Sequence, residues 1–137
     1  AARAQPKRKK NTEYEIQADF VAVMAIKYPD VMVFSDTAAH IRKTMFQQIR
    51  ANKLQSRLSK DWPDVMVAQP SGEYSGLFLE FKAESPYYKD RPHLLKKDKH
   101  VEDQDWCMFN LKQRGYQCFF VWTAEMAMDI VEKYLNQ

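Results

Sequence analysis

Residues 63–82 read PDVMVAQPSGEYSGLFLEFK. Two apolar runs, Val65-Met66-Val67-Ala68 and Leu77-Phe78-Leu79, flank a turn-rich segment from Pro70 to Gly76, the pattern of an antiparallel β-hairpin. Side chains alternate along a strand, so Phe78, Glu80 and Lys82 share one face while Leu77, Leu79 and Phe81 take the other. Pro63-Asp64 opens the first arm and Glu80-Phe81-Lys82 closes the second. Two carboxylates and an amine are thereby placed on neighbouring strands, in an apolar setting that otherwise excludes charge.

Working outward, Ile16, Phe20, Val23, Met24 and Lys27 recur at spacings of three and four, which predicts a helix from Glu13 to about Lys27, capped by Asn11 or Thr12 and followed by Pro29. Val31-Met32-Val33-Phe34 reads as a short buried strand. A second helix is predicted from about Ala38 to Leu58, with Ile41, Met45, Ile49 and Leu54 as a sparse apolar stripe. Ser85 to Lys99 is a polar loop. A third helix is predicted from Val101 to Arg114 and stopped by Gly115, followed by a strand from Gln117 to Trp122 and a last helix capped by Thr123. Helices and strands mixed around one hairpin make an α/β domain, a small mixed sheet flanked by helices.

With 137 residues, 45% of them hydrophobic, the chain supports one sizeable core. A single domain over residues 12–137 is expected, behind a basic tail, residues 1–11, in which Arg3, Lys7, Arg8, Lys9 and Lys10 crowd together. The tail is expected to be disordered, either touching polyanions or simply solvated. Cys107 and Cys118 lack a CxxC or metal-ligand spacing and read as buried thiols in a reducing compartment. No apolar run approaches the roughly eighteen residues that cross a bilayer, so a cytoplasmic protein with no membrane partner is expected.

Asp64 and Glu80 can converge on one hard cation, since Mg²⁺ is commonly held by only one or two protein carboxylates with water and phosphate oxygens completing the shell. Lys82 would orient a water or offset charge in the transition state. An ExK tripeptide alone is common and is equally a same-face ion pair on a strand; the Pro-Asp pair and the intervening hairpin set this one apart. Cations without an intervening acid, Arg42, Lys43, Arg50, Lys53, Arg57 and Lys60, suit either a solvated helical face or a phosphate backbone. Lys89, Lys96 and Lys97, interleaved with Tyr87 and Tyr88, suit the same partner. His40, His93 and His100 show no metal-ligand spacing and read as solvated.

Pro63-Asp64 followed by Glu80-Phe81-Lys82 resembles the motif of the PD-(D/E)XK nucleases, and the wider chain resembles their VRR-NUC branch. The similarity runs from Glu13-Tyr14-Glu15-Ile16-Gln17 in the first helix through Gly76 to Lys82 and on to Gln104, Leu111 and Gly115. It implies a PD-(D/E)XK nuclease-like core in which Asp64, Glu80 and the Phe81 carbonyl hold Mg²⁺ or Mn²⁺, Lys82 is the catalytic lysine and Gln104 serves the site. An acid near the first helix is also implied. Glu13 and Gln17 share a face from which Glu15 lies about 160–200° away; the family pattern favours Glu15, with Gln17 as an accessory. Ser59-Lys60-Asp61-Trp62 departs from the small residues usual before the Pro-Asp pair, which makes Asp61 either a further ligand or a surface acid.

The resemblance implies an endonuclease selective for branched DNA, similar to stand-alone Holliday junction resolvases of bacteria and phages and working as a homodimer. A nuclease for flaps or plain duplex, and a non-catalytic nucleic-acid-binding module, are the competing readings.

Overall fold

The computed structural model describes residues 12–37 and 43–137, and within them residues 63–82 form the expected hairpin. Strand β2 (Val65–Val67) pairs antiparallel with β3 (Gly76–Phe81) in a register that sets Val65 against Leu79 and Val67 against Leu77. Strand β1 (Val33–Ser35) adds antiparallel to β2, and β4 (Tyr116–Val121) adds parallel to β3, giving a mixed sheet of order β1-β2-β3-β4.

Helices cover both faces, and the hairpin's alternation decides which residues meet them. Leu77, Leu79 and Phe81 join Val65, Val67 and Val121 in one core layer with Ile16, Phe20 and Met24 of α1 (Glu13–Lys27) and Val131 and Tyr134 of α4 (Ala124–Leu135). Phe20 and Phe81 pack ring to ring at 5.5 Å. Phe78 faces the opposite way and joins Cys118 and Phe120 against Cys107, Met108 and Leu111 of α3 (Lys99–Lys112). Burying a large apolar side chain of this kind contributes about 1.5–3 kcal/mol. Burial also pushes the thiols up, that of Cys107 to about 11 and that of Cys118 to about 12, so both stay protonated inside the core.

The caps fall where side chains can satisfy the orphan amides. Thr12 accepts the Glu15 N–H at 3.2 Å, Asp98 that of Val101 at 3.2 Å and Thr123 that of Met126 at 3.0 Å. Asp98 starts α3 two residues before the expected Val101. Gly115 adopts φ +93°, a conformation open to glycine, and turns the chain from α3 into β4.

The second helix differs from expectation. It is α2, only Met45–Lys53, begun by a capping box between Thr44 and Gln47 and followed by a separate 3-10 turn at Arg57–Ser59. Ser56 breaks the helix with an extended backbone, and its hydroxyl bonds Ser59 at 2.9 Å instead of leaving the helical pattern intact. No residue of α2 is buried, because its stripe meets no core. The basic tail and the first residues of the predicted helix, Arg42 included, lie outside the described residues. No helix among the described residues is long and apolar enough to cross a membrane.

Candidate active site

Asp64 sits one residue before β2, and Glu80 and Lys82 at the carboxyl end of β3, so the antiparallel pairing of the two strands brings them together. The carboxylate of Asp64 accepts the Phe81 N–H at 2.8 Å, and that of Glu80 accepts the Asp64 N–H at 3.2 Å. The Asp64 carbonyl in turn accepts the Asp36 N–H at 3.1 Å, tying the end of β1 to the same point. Lys82 is anchored through its backbone N–H to the Val121 carbonyl at 2.8 Å, and its amine lies 6.0 Å from the centre of the Phe120 ring. Glu80 is 3% exposed, Lys82 8% and Gln104 6%, so three polar side chains are buried at one end of the sheet. Polar groups buried to this degree are retained only when partnered.

Gln104 supplies one such partner. From the middle of α3 its Nε2 donates to Glu80 Oε1 at 2.6 Å. Its Oε1 is the one buried side-chain polar atom without a hydrogen-bond partner among the described residues.

The electrostatics are those of two acids crowded together. Burial holds the Glu80 carboxyl well above the usual carboxylate range, the Asp64 charge and a hydrogen bond to the Asp64 side chain raise it further, Glu13 adds to this, and the Lys82 amine only partly opposes it. Ionising both carboxylates together is therefore unfavourable here, and Lys82 offsets only part of that cost.

That repulsion bears on whether a divalent cation fits. The donors are hard carboxylate oxygens, and a second positive charge relieves the repulsion between them. The unpaired Gln104 oxygen adds an acceptor beside the pair. Among the described residues no group of three His, Cys, Asp or Glu side chains is gathered for a metal, so the acids available here are two.

On the first helix the two acids are placed differently. Glu15 is exposed, and its N–H is engaged by the Thr12 cap. Glu13 is the α1 acid whose charge acts on Glu80, on the same helical face as the buried Gln17. The four-residue spacing of Glu13 and Gln17 carries that signal in the sequence. Sequence reasoning also misses the place of His100, whose Nε2 lies 3.2 Å from Gln104 Nε2, and of Asp61, which meets the other nitrogen of the same ring.

The cations divide. Lys43, Arg50, Lys53, Arg57 and Lys60 are all exposed, on an excursion that leaves β1 beside Asp36 and returns through Trp62 to Asp64. Trp62 pins the return by packing edge-on against Phe78 at 5.2 Å. In the 85–98 loop Lys89 and Lys97 are exposed and Lys96 is half-buried. Tyr87 is not available to stack on a ligand, because it packs against Phe120 and Trp122, and Tyr88 carries the Arg91 guanidinium 4.4 Å above its ring.

No family model matches the sequence, and no curated protein does. A solved structure titled "VRR_NUC domain protein" matches with a TM-score of 0.69 over 93% of this chain and 91% of that one, at 14% identity. The chain has the fold of a VRR_NUC domain protein, with Asp64, Glu80 and Lys82 together at one end of its sheet.

Proposed function

We propose that this protein is a divalent-metal-dependent DNA endonuclease, and that it acts as a homodimer on branched DNA such as Holliday junctions. The observation that carries this reading is the pairing of the half-buried Asp64 with the buried Glu80, held by main-chain amides, where burial and the Asp64 charge raise the Glu80 carboxyl more than Lys82 lowers it. Asp64, Glu80 and the Phe81 carbonyl would hold Mg²⁺ or Mn²⁺. When bound, such an ion polarises a phosphodiester and lowers the pKa of water.

The chain's own residues do the rest. The backbone amides of Phe81 and Asp64 fix the two carboxylates before any substrate arrives, so no reorganisation is needed during reaction. Lys82, held on the same strand two residues on, brings a positive charge to the scissile phosphate and orients the attacking water. Gln104 keeps Glu80 in place. Lys43, Arg50, Lys53, Arg57 and Lys60 flank this end of the sheet without an acid among them and grip the phosphate backbone, with Lys89, Lys96 and Lys97 extending the track. A single chain presents one such centre, so cutting two strands calls for two chains.

The test is cleavage of an end-labelled four-way junction and of a linear duplex, each in Mg²⁺, Mn²⁺ and EDTA. Paired, metal-dependent cuts near the branch point are expected. Salt-sensitive binding to both substrates with no cleavage of either would leave a nucleic-acid-binding module instead.

A further inference from the structure

Behind Glu80 the polar contacts continue outward in a line. Gln104 Nε2 is 2.6 Å from Glu80 Oε1 and 3.2 Å from His100 Nε2, and His100 Nδ1 is 3.5 Å from Asp61 Oδ1. The donor and acceptor roles along this line are fixed by chemistry. An amide nitrogen has two hydrogens to give and no lone pair to offer, so Gln104 donates in both directions. With Glu80 ionised, the state that can hold a cation, the reverse orientation would set an amide oxygen against its carboxylate. His100 Nε2 must then be the bare, accepting nitrogen, which puts the ring proton on Nδ1, and Nδ1 is the atom that faces the Asp61 carboxylate. The His100 side chain is largely exposed, and its Nδ1 meets Asp61 as a charge contact at 3.5 Å.

The last member is held in an unusual way. Asp61 has φ +60°, a left-handed conformation that is uncommon outside glycine and costs on the order of 1 kcal/mol. It directly precedes the Trp62-Pro63-Asp64 approach to the site. His100 and Gln104 are four residues apart on α3 and therefore stack on one face of the helix.

We propose that Asp61 and His100 are positioning residues that lock the Gln104 amide with its nitrogen on Glu80. This fixes its oxygen as the buried free acceptor beside the Asp64–Glu80 pair. The proposal rests on the reading of that pair as the catalytic centre. The locked amide does two things there: it orients Glu80, and it offers Oε1 to a water proton. A line of polar contacts that orients the groups around a metal-binding carboxylate typically matters by about 10- to 100-fold in activity or affinity.

Two readouts test it, and the first needs no catalysis. Long-range ¹H–¹⁵N spectra of the metal-free protein, at a pH high enough to ionise Glu80, should show His100 protonated on Nδ1 and bare on Nε2. The Gln104 side-chain amide signals should move in His100→Phe and return toward their wild-type positions in His100→Gln, whose amide oxygen restores an acceptor. A His100 ring protonated on Nε2, or Gln104 signals indifferent to both variants, overturns the proposal.

The second readout is cleavage. His100→Phe should lose on the order of 10-fold in kcat with KM for DNA unchanged. His100→Gln should recover most of that loss, and Asp61→Ala should fall between the two. Equal losses in His100→Phe and His100→Gln would assign His100 a merely structural role and contradict the proposal. A wild-type protein that cuts no DNA would defeat the nuclease reading, while the ring tautomer and the amide signals would still decide the positioning line.

Discussion

Glu80 accepts the main-chain N–H of Asp64 through its carboxylate at 3.2 Å, so one acid of the site is clamped by the backbone of the other. Asp64 reciprocates one residue along, accepting the Phe81 N–H at 2.8 Å. The distance between the carboxylates is therefore set by strand register, Val65 opposite Leu79, and not by flexible side chains. Such a pair is costly to keep ionised without a counter-charge.

That cost has a pH signature in the metal-free protein. The folded state holds the Glu80 proton more tightly than the unfolded chain, whose ordinary value is 4.5. Native protein then binds more protons than unfolded protein, so stability is fullest below about pH 4.5 and is lost as pH rises through the elevated folded value. Glu80→Gln removes this decline, and the new amide oxygen can still accept from Gln104 Nε2. At neutral pH in EDTA, Glu80→Gln should melt higher than wild type, by roughly 4 °C per kcal/mol relieved, while losing cleavage. Melting curves across pH check this; parallel curves for the two proteins would contradict it.

Lys82 is buried at the end of β3 with its backbone fixed to β4, so its amine has a limited range of positions. Lys82→Ala should lower kcat by on the order of 10²–10³ with DNA affinity little changed. Lys82→Arg should not restore activity, because a planar guanidinium does not fit the slot of a compact ammonium. Single-turnover cleavage with gel-shift binding in parallel separates the two effects.

The α2 excursion should act on binding alone. Neutralising Arg50 and Lys53 should weaken DNA affinity for every sequence tested, and should reduce the slope of log K against log salt by about 1 for each phosphate no longer neutralised. Cleavage at saturating DNA should stay near wild type. Titrations at several salt concentrations provide the check.

Phe20 anchors α1 on the sheet through Phe81, whose carbonyl is proposed to face the metal. Phe20→Ala should destabilise the fold by about 3–5 kcal/mol. Denaturant unfolding measures this, and a loss below about 1 kcal/mol would show that the α1 face packs less tightly than its burial indicates.

Much of this arrangement is legible in the sequence. Period-two alternation from Leu77 to Lys82 sets the faces of β3, because a one-residue slip would put Glu80 among Phe20 and Val131. The Thr12 and Thr123 caps and the Gly115 stop are equally local. Period alone overextends the second helix, because it counts apolar residues without asking whether anything covers them, and Ile49 and Leu54 meet no core. The family pattern favours Glu15, whereas helical geometry puts Glu13 on the Gln17 face, and Glu13 is the acid whose charge acts on Glu80. The Asp61–His100–Gln104 line is half visible, as a four-residue spacing on α3. Its other half depends on a left-handed Asp61 brought close by the fold, which no local pattern announces.

The most direct measurement is cleavage of supercoiled plasmid in Mn²⁺ by wild type and by Asp64→Asn, side by side. Asp64→Asn keeps an acceptor for the Phe81 N–H and removes one of the two charges. Wild type should nick and linearise the plasmid, and EDTA should stop it. Asp64→Asn should bind the same DNA and leave it intact. Cleavage by Asp64→Asn at the wild-type rate, or none by either protein at any divalent metal concentration, would contradict the assignment of this site.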